Sequence, residues 1–455
     1  MASVVVGLGK TGASCLRYLA KRGIPVSATD SRRTPPGLAE LGALAKTLDI
    51  RLGGLDLSLL DGASQVLMSP GLSLEEPIAA LARSRGIEVV GDIELFARAA
   101  RAPVIGVTGT NGKSTVTSLV ASMAAAAGRS VLAGGNLGKP ALDLLEQPTP
   151  DLYVLELSSF QLETTSSLEL VAAVVLNVSA DHLDRYASVS AYARAKARIF
   201  AHAATVVLNA DDPRVAGMRG ALTGVPGNRG AAVRDPPRIL TFSTQRTDSD
   251  FSLLQVGEQV HLARRGVAVL DIARMKITGL HNAANALAAL ALGEAAGLEL
   301  SAMLEALETF PGLEHRSAWV ADLAGVRYID DSKGTNVGAT LAAVAGLSGP
   351  LIMIAGGEGK GQDFAPLAAG FRDKVRHAVL IGKDAAAIES ALEGVCTTER
   401  ARTMEDAVAA AAATARPGDT VLLSPACASL DMFRDYAQRG DVFAAAVRAL
   451  AWPPR

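Results

Sequence analysis

At 455 residues, with 44 basic against 46 acidic side chains and a formal net charge of −2, the chain exceeds one ordinary domain and carries no positive surplus that would recommend nucleic acid. Its three cysteines, Cys15, Cys396 and Cys427, are far apart and form no close-spaced metal pair, so they read as inert buried thiols of a reduced compartment. No segment approaches the ~20 apolar residues needed to cross a bilayer, and the N-terminus opens on a short strand in place of a basic leader, which predicts a cytoplasmic protein with no membrane partner.

Apolar runs alternating with helical patterns predict parallel sheets with crossover helices, an α/β fold of three domains. In the first, residues 1–92, Val4–Val6, Val26–Thr29, Val66–Met68 and Val89–Val90 are short strands. Gly7, Gly9 and Gly12 follow the first strand and Asp30 ends the second, which satisfies the dinucleotide fingerprint and predicts a dinucleotide-fold-like domain. The fingerprint codes only for a diphosphate at a helix N-terminus, so any nucleotide diphosphate would suit it. A nicotinamide enzyme is disfavoured because a second nucleotide loop stands further along the chain, where an oxidoreductase has no use for one.

That loop opens the second domain, residues 93–312. After the apolar run from Pro103 comes Gly106-Val-Thr-Gly109-Thr110-Asn111-Gly112-Lys113-Ser114-Thr115. A glycine-rich turn between strand and helix exposes backbone N–H groups, sets a lysine among them and follows it with two hydroxyls able to reach magnesium. It is a variant phosphate loop, since Val107 stands where the standard spacing requires glycine. Further strands are expected at Tyr153–Leu157, Ala173–Asn177 and Val206–Asn209. Between about Pro213 and Ile277 the pattern turns to alternation, as in Gln259–Leu262 and Val267–Leu270, which predicts a small antiparallel insertion. Pro311-Gly312 marks the next boundary. A Rossmann-like third domain, 313–455, has strands at Leu351–Ala355, Ala378–Ile381 and Thr420–Leu423.

Glu156 sits at the end of a central strand, on the sheet edge that carries the phosphate loop, where one carboxylate plus Ser114 suffices for a magnesium ion that keeps waters and phosphate oxygens. Asn177-Val-Ser-Ala-Asp181-His182 follows another strand and ends on a histidine a ligand could meet. Asp330-Asp331-Ser332-Lys333-Gly334-Thr335-Asn336 combines acid, base and hydroxyl after the strand at Arg327. Lys196, within Ala195-Lys-Ala-Arg-Ile-Phe200, reads from the residues alone as an exposed helix lysine.

In order and position, Gly109–Thr115, Leu155-Glu-Leu-Ser-Ser-Phe-Gln-Leu-Glu163, Asp181-His-Leu-Asp184, His281-Asn282 with Asn285, His315-Arg316, Asp331-Ser-Lys333, Gly356-Gly-Glu-Gly-Lys360 and Ser424-Pro-Ala-Cys-Ala-Ser-Leu-Asp431 resemble the Mur ligases. The resemblance spans essentially the whole chain, and the pairing of a dinucleotide-like first domain with Leu155–Glu163 and Ser424–Ser429 is similar to the branch that adds D-glutamate. It implies an ATP-dependent ligase that joins D-glutamate to UDP-N-acetylmuramoyl-L-alanine through an acyl phosphate, acting as a cytoplasmic monomer.

The same resemblance implies the site. Lys113, Glu156, His182 and Lys196 would be catalytic; ATP would meet Gly109, Thr110, Asn111, Gly112, Lys113, Ser114, Thr115, Asn285, Arg316 and Asp331. Two magnesium ions would be held by Ser114 and Glu156, and by His182 and Lys196, the last carbamylated because a bare ammonium repels a cation. The UDP-substrate would lie against Lys10, Thr11, Ser31, Arg32, Gly71, Asn136 and Ser158, and D-glutamate against Lys333, Thr335, Lys360, Ser429, Leu430 and Tyr436. The chain departs from the family pattern at Ser31, Gly334 and Tyr436, where threonine, alanine and phenylalanine are usual, without losing a charge or a metal ligand.

Overall fold

The computed structural model describes residues 2–222, 236–347 and 349–450. Residues 223–235, inside the expected insertion, and the outermost residues of the first and third expected domains, Met1 and 451–455, lie outside the described residues.

The first sheet is parallel throughout, in the order β3-β2-β1-β4-β5, from β1 (Ala2–Val6), β2 (Val26–Asp30), β3 (Asp49–Leu52), β4 (Ala63–Met68) and β5 (Glu88–Val90). β1 reads as an unbroken apolar run because both faces are covered. Val5 packs with Leu16 and Leu19, while Val4 and Val6 pack with Leu59 and Ile78 on the other side. This is the doubly wound arrangement the fingerprint predicts, and the turn after β1 faces a ligand crevice.

The central sheet has nine strands: β6 (Val104–Thr108), β7 (Val131–Gly135), β8 (Leu152–Glu156), β9 (Leu170–Val175), β10 (Ala203–Asn209), β11 (Arg238–Ser243), β12 (Phe251–Val256), β13 (Gln259–Arg264) and β14 (Val267–Asp271). Their order is β14-β13-β12-β11-β10-β9-β6-β8-β7. The expected small antiparallel insertion is present in β12 to β14 and joins the main sheet: Phe251 and Ser252 of β12 pair in parallel with Phe242 and Ser243 of β11, so the meander prolongs it. Phe251, Leu262 and Leu270 accordingly bury in the same core as Val107 and Leu287. The first and central sheets also share a core, where Phe96 meets Tyr153 edge to face at 5.1 Å.

The third sheet, β15-β16-β20-β17-β18-β19, uses β15 (Ala318–Leu323), β16 (Val326–Asp330), β17 (Leu351–Gly356), β18 (Val375–Ile381), β19 (Thr397–Arg400) and β20 (Thr420–Leu423). Only β15, at the edge, runs antiparallel. Among the described residues no helix is long and apolar enough to cross a membrane.

Candidate active site

The phosphate loop joins β6 to the helix Lys113–Ala126. Gly112 has φ +84° there, and a Cβ on it would stand 2.5 Å from Asn285 Oδ1, so both conformation and space call for glycine. Lys113 Nζ donates to Gly109 O at 2.9 Å and Thr110 O at 2.8 Å. Burial lowers its pKa against the pull of Glu156 and Asp181. Asn177 braces the loop: its Oδ1 accepts from Asn111 N at 2.8 Å and its carbonyl from Thr110 N at 2.9 Å. β9 stops at Val175, and not at Asn177 as expected: Leu176 N still reaches Thr108 O at the end of β6 at 2.9 Å, and Asn177 is engaged with the loop.

Ser114 Oγ donates to Glu156 Oε2 at 2.6 Å, Asn136 Nδ2 donates to Oε1 at 2.8 Å, and Arg316 Nη2 reaches Ser114 Oγ from the third sheet at 2.7 Å. The hydroxyl and carboxylate thus form a pair of hard oxygen donors at the helix start, the set magnesium prefers. Lys196 is not the exposed lysine that its helix suggests: it is 1% exposed, 2.8 Å from Gly109 O and 4.4 Å from the Tyr192 ring centroid. Burial, and then the nearby Lys113 charge, push its pKa well below the usual lysine range. His182 takes φ +54°, packs edge-on against Phe160 at 5.0 Å and has its pKa lowered chiefly by burial.

A cavity of about 320 Å³ opens between the central and third sheets. It is lined by Asn111, Gly112, Thr115, Asn285, Arg316 and Asp331, six of the expected ATP contacts, and also by Lys333. Burial raises the Asp331 carboxyl to about 7, although Ser424 Oγ donates to it at 2.7 Å. A second cavity, about 730 Å³, is lined by Lys10, Thr11, Ser31, Arg32, Gly71 and Asn136, together with Gln161 and Tyr436. Ser158 is not part of this lining; its hydroxyl caps the helix Ser159–Glu163 by accepting from Gln161 N. Asp30 is also occupied, accepting from Leu8 N at 2.6 Å and from Arg32 Nε and Nη2. The fingerprint acid therefore braces the turn after β1.

The expected glutamate contacts are less gathered. Lys333 Nζ lies 3.7 Å from the Tyr436 ring centroid, and burial followed by the Arg316 and Lys113 charges lowers it to about 8. Lys333 lines the first cavity and Tyr436 the second, whereas Thr335, Lys360, Ser429 and Leu430 line neither. Ser429 is buried, and Leu430 is 67% exposed.

Three groups had no role assigned from the sequence. Arg439, wholly buried, donates to Ser332 Oγ, Ser332 O and Cys427 O, tying the Asp331–Lys333 turn to the loop after β20. Asn336 caps the helix Val337–Gly346 and gives its Nδ2 to Asn111 Oδ1 at 3.0 Å, a bond across the seam. Gln161 carried a signal in the Leu155–Glu163 run but no assigned role.

Comparison with known proteins matches residues 1–91 to the N-terminal domain described as Mur ligase MurD-like, 107–293 to the Mur ligase middle domain and 315–427 to the Mur ligase glutamate ligase domain. The chain is 52% identical over 450 residues to the UDP-N-acetylmuramoylalanine–D-glutamate ligase of Nitrosococcus oceani, covering 98% of this chain and 96% of the relative. It is 48% identical to that of Pseudomonas aeruginosa, covering 98% of both. Among solved structures it resembles the UDP-N-acetylmuramate-alanine ligase of Thermotoga maritima, with TM-score 0.61 at 18% identity over 99% of this chain and 100% of the other. A pseudomurein peptide ligase of Methanothermus fervidus gives TM-score 0.60 at 19% identity over 99% of both chains.

Proposed function

Because the chain belongs to the Mur ligase family, we propose that it joins D-glutamate to UDP-N-acetylmuramoyl-L-alanine at the expense of ATP, in a cytoplasmic step of peptidoglycan precursor synthesis. The observation that carries this reading is the full-length similarity to relatives named for that reaction. The cavity against the first sheet suits a nucleoside diphosphate, with Lys10 and Arg32 in its wall and the helix Lys10–Lys21 starting there.

A carboxylate is a poor acylating agent. The alanine carboxylate oxygen therefore attacks the γ-phosphorus of ATP, ADP leaves, and the amine of D-glutamate attacks the acyl carbon; phosphate departs as the amine gives up a proton. Lys113 and the N–H groups around it hold phosphate oxygens and compensate charge on the transferring group. Arg316 brings a further cation from the third sheet to Ser114. Ser114 and Glu156 would hold magnesium, which when bound supplies positive charge to the phosphates.

His182 and Lys196 would serve a second ion. The suppressed basicity of Lys196 keeps a share of its amine neutral and able to add to carbon dioxide, with loss of one proton, to give a carbamate. Such an anion would be an oxygen donor where an ammonium would be a repellent. Lys333, Thr335, Lys360, Ser429, Leu430 and Tyr436 would meet D-glutamate, and Ser158 would act on the UDP-substrate only through the turn it caps.

Mass spectrometry of the product formed from ATP, UDP-N-acetylmuramoyl-L-alanine and a panel of amino acids tests the reading. The D-glutamyl adduct is the expected product, and preference for L-alanine or a diamino acid would refute it.

A further inference from the structure

One buried acid has no part in the chemistry above. Asp92, 1% exposed, begins the helix Asp92–Ala99 on the seam between the first and central sheets. It arrives beside the helix Ser159–Glu163 because Gly91 lies so close that a Cβ there would stand 2.3 Å from Thr164 Oγ1. Asp92 Oδ2 accepts from Gln161 Nε2 at 3.2 Å, while Oδ1, equally buried, has no partner. A sequestered carboxylate with one oxygen unmatched costs stability, so its presence asks for a function.

Gln161 supplies that function. Itself 2% exposed, it lines the cavity of the first sheet, and its Oε1 accepts from both Ser158 N at 3.1 Å and Ser158 Oγ at 3.2 Å. An amide can present either end to a neighbour, and nothing in its shape decides which. The Ser158 N–H, which only donates, claims Oε1, and an ionised carboxylate, which only accepts, claims Nε2 and so reinforces the same choice. With Asp92 ionised, Nε2 must face the acid, Oε1 must face Ser158, and the second Nε2 hydrogen is the donor left over.

We propose that Asp92 is a positioning residue for the UDP-substrate cavity: by accepting from Gln161 Nε2 it holds the amide in the orientation that the Ser158 N–H also requires, so that a donor faces the bound substrate and the Ser158 cap stays closed. The inference rests on the proposed function for the identity of the ligand. A neutral partner would loosen that hold, because a protonated Asp92 or an asparagine in its place accepts more weakly from Nε2 and can compete with Ser158 as a donor to Oε1.

Burial is the largest influence on Asp92, opposed by the bond from Gln161, and it raises the carboxyl to about 6. Of the titratable groups on the elements around it, Asp143 is held by Ser14 and Arg17, Glu94 by Ser166 and Ser167, and the Cys15 thiol is kept neutral by its own burial. Glu163 stands at the far end of the Gln161 helix. Hence Asp92 should lose its charge, and with it the strength of its hold on Gln161, as pH falls through about 6.

The test compares wild type with Asp92→Asn and Asp92→Glu, following KM for UDP-N-acetylmuramoyl-L-alanine, KM for ATP and kcat from pH 5.5 to 8, with direct calorimetry of UDP-substrate binding. Asp92→Asn should raise the UDP-substrate KM and Kd roughly tenfold, the scale of one charge-assisted hydrogen bond lost, and leave kcat and the ATP KM within about twofold. The wild-type KM should climb below pH 6 toward the already high value of Asp92→Asn; a change shared by both proteins belongs to other groups such as His182, and the difference to Asp92. Asp92→Glu should recover part of the loss. Equal UDP-substrate KM values and equal pH profiles in wild type and Asp92→Asn overturn the inference alone, as does a uniform fall in kcat with lowered Tm and no KM selectivity. Failure of the wild type to bind the UDP-substrate sinks the proposed function and the inference together.

Discussion

Gly112→Ala probes the phosphate loop with a single methyl group. At φ +84° an L-residue costs about 1–2 kcal/mol, reduced by about 0.4–1 kcal/mol because alanine also restricts the unfolded chain. The new Cβ would lie 2.5 Å from Asn285 Oδ1, so Asn285 must move and lose its 3.2 Å bond to Asn282, at about 1 kcal/mol. The expected sum is about 1–3 kcal/mol, and to the extent that it opposes the bound form of the loop it corresponds to a loss of up to roughly 150-fold in affinity at the proposed nucleotide site. Gly128→Ala is the control: φ is +74°, but nothing lies within 4 Å of its Cβ. Calorimetric titration with a non-hydrolysable ATP analogue, alongside thermal melts, separates the two. Gly128→Ala should lower Tm slightly and bind normally, whereas Gly112→Ala should lose affinity by more than its melting shift explains. Unchanged affinity in a folded Gly112→Ala variant would refute the assignment of the loop to the triphosphate.

Lys113→Ala should abolish turnover in a folded protein, checked by circular dichroism and product release, because the lysine compensates charge on the transferring phosphoryl group. Lys196→Ala should cripple activity, with partial recovery on adding short carboxylic acids; wild-type rates at saturating magnesium would contradict the carbamate. Lys360→Ala should raise the KM for D-glutamate more than that for the UDP-substrate, and the wild type should prefer D-glutamate to L-glutamate and D-aspartate at equal concentrations.

The features most legible in the sequence are those that local backbone constraints write down. Gly112-Lys113-Ser114 after an apolar strand forces a left-handed residue followed by a helix start, and the structure has both. The alternation around Gln259 to Leu270 announced antiparallel strands, yet it could not say that β12 would pair with β11, since that choice is made by ladder bonds and by a core to which Phe251 and Leu287 both contribute. Lys196 was illegible for a related reason. Its helix also carries Arg194, a pattern that reads as solvated surface, and the carbonyl of Gly109 that receives its amine lies 87 positions away. Arg439 and Asp92 bury for tertiary reasons as well, and their donors and acceptors lie on other elements.

The cations around the loop carry a last consequence. Arg316 and Lys113 help to depress Lys333, and Lys113 helps to depress Lys196, so these buried positive groups repel one another. Lys333 at about 8 in the folded chain lies below its ordinary range near 10.4 in the unfolded one. Between those values the unfolded chain binds more protons, so the contribution of this group to stability rises with pH over that window. Without ligand, Tm should therefore gain from about pH 8 upward in wild type relative to Lys333→Met, which lacks the group. A bound ATP analogue, by returning negative charge to the cleft, should raise the Lys333 pKa and shrink that difference. The same pH dependence of Tm in wild type and Lys333→Met would show that Lys333 is not held under this repulsion, and would remove the electrostatic argument for anions meeting at the seam.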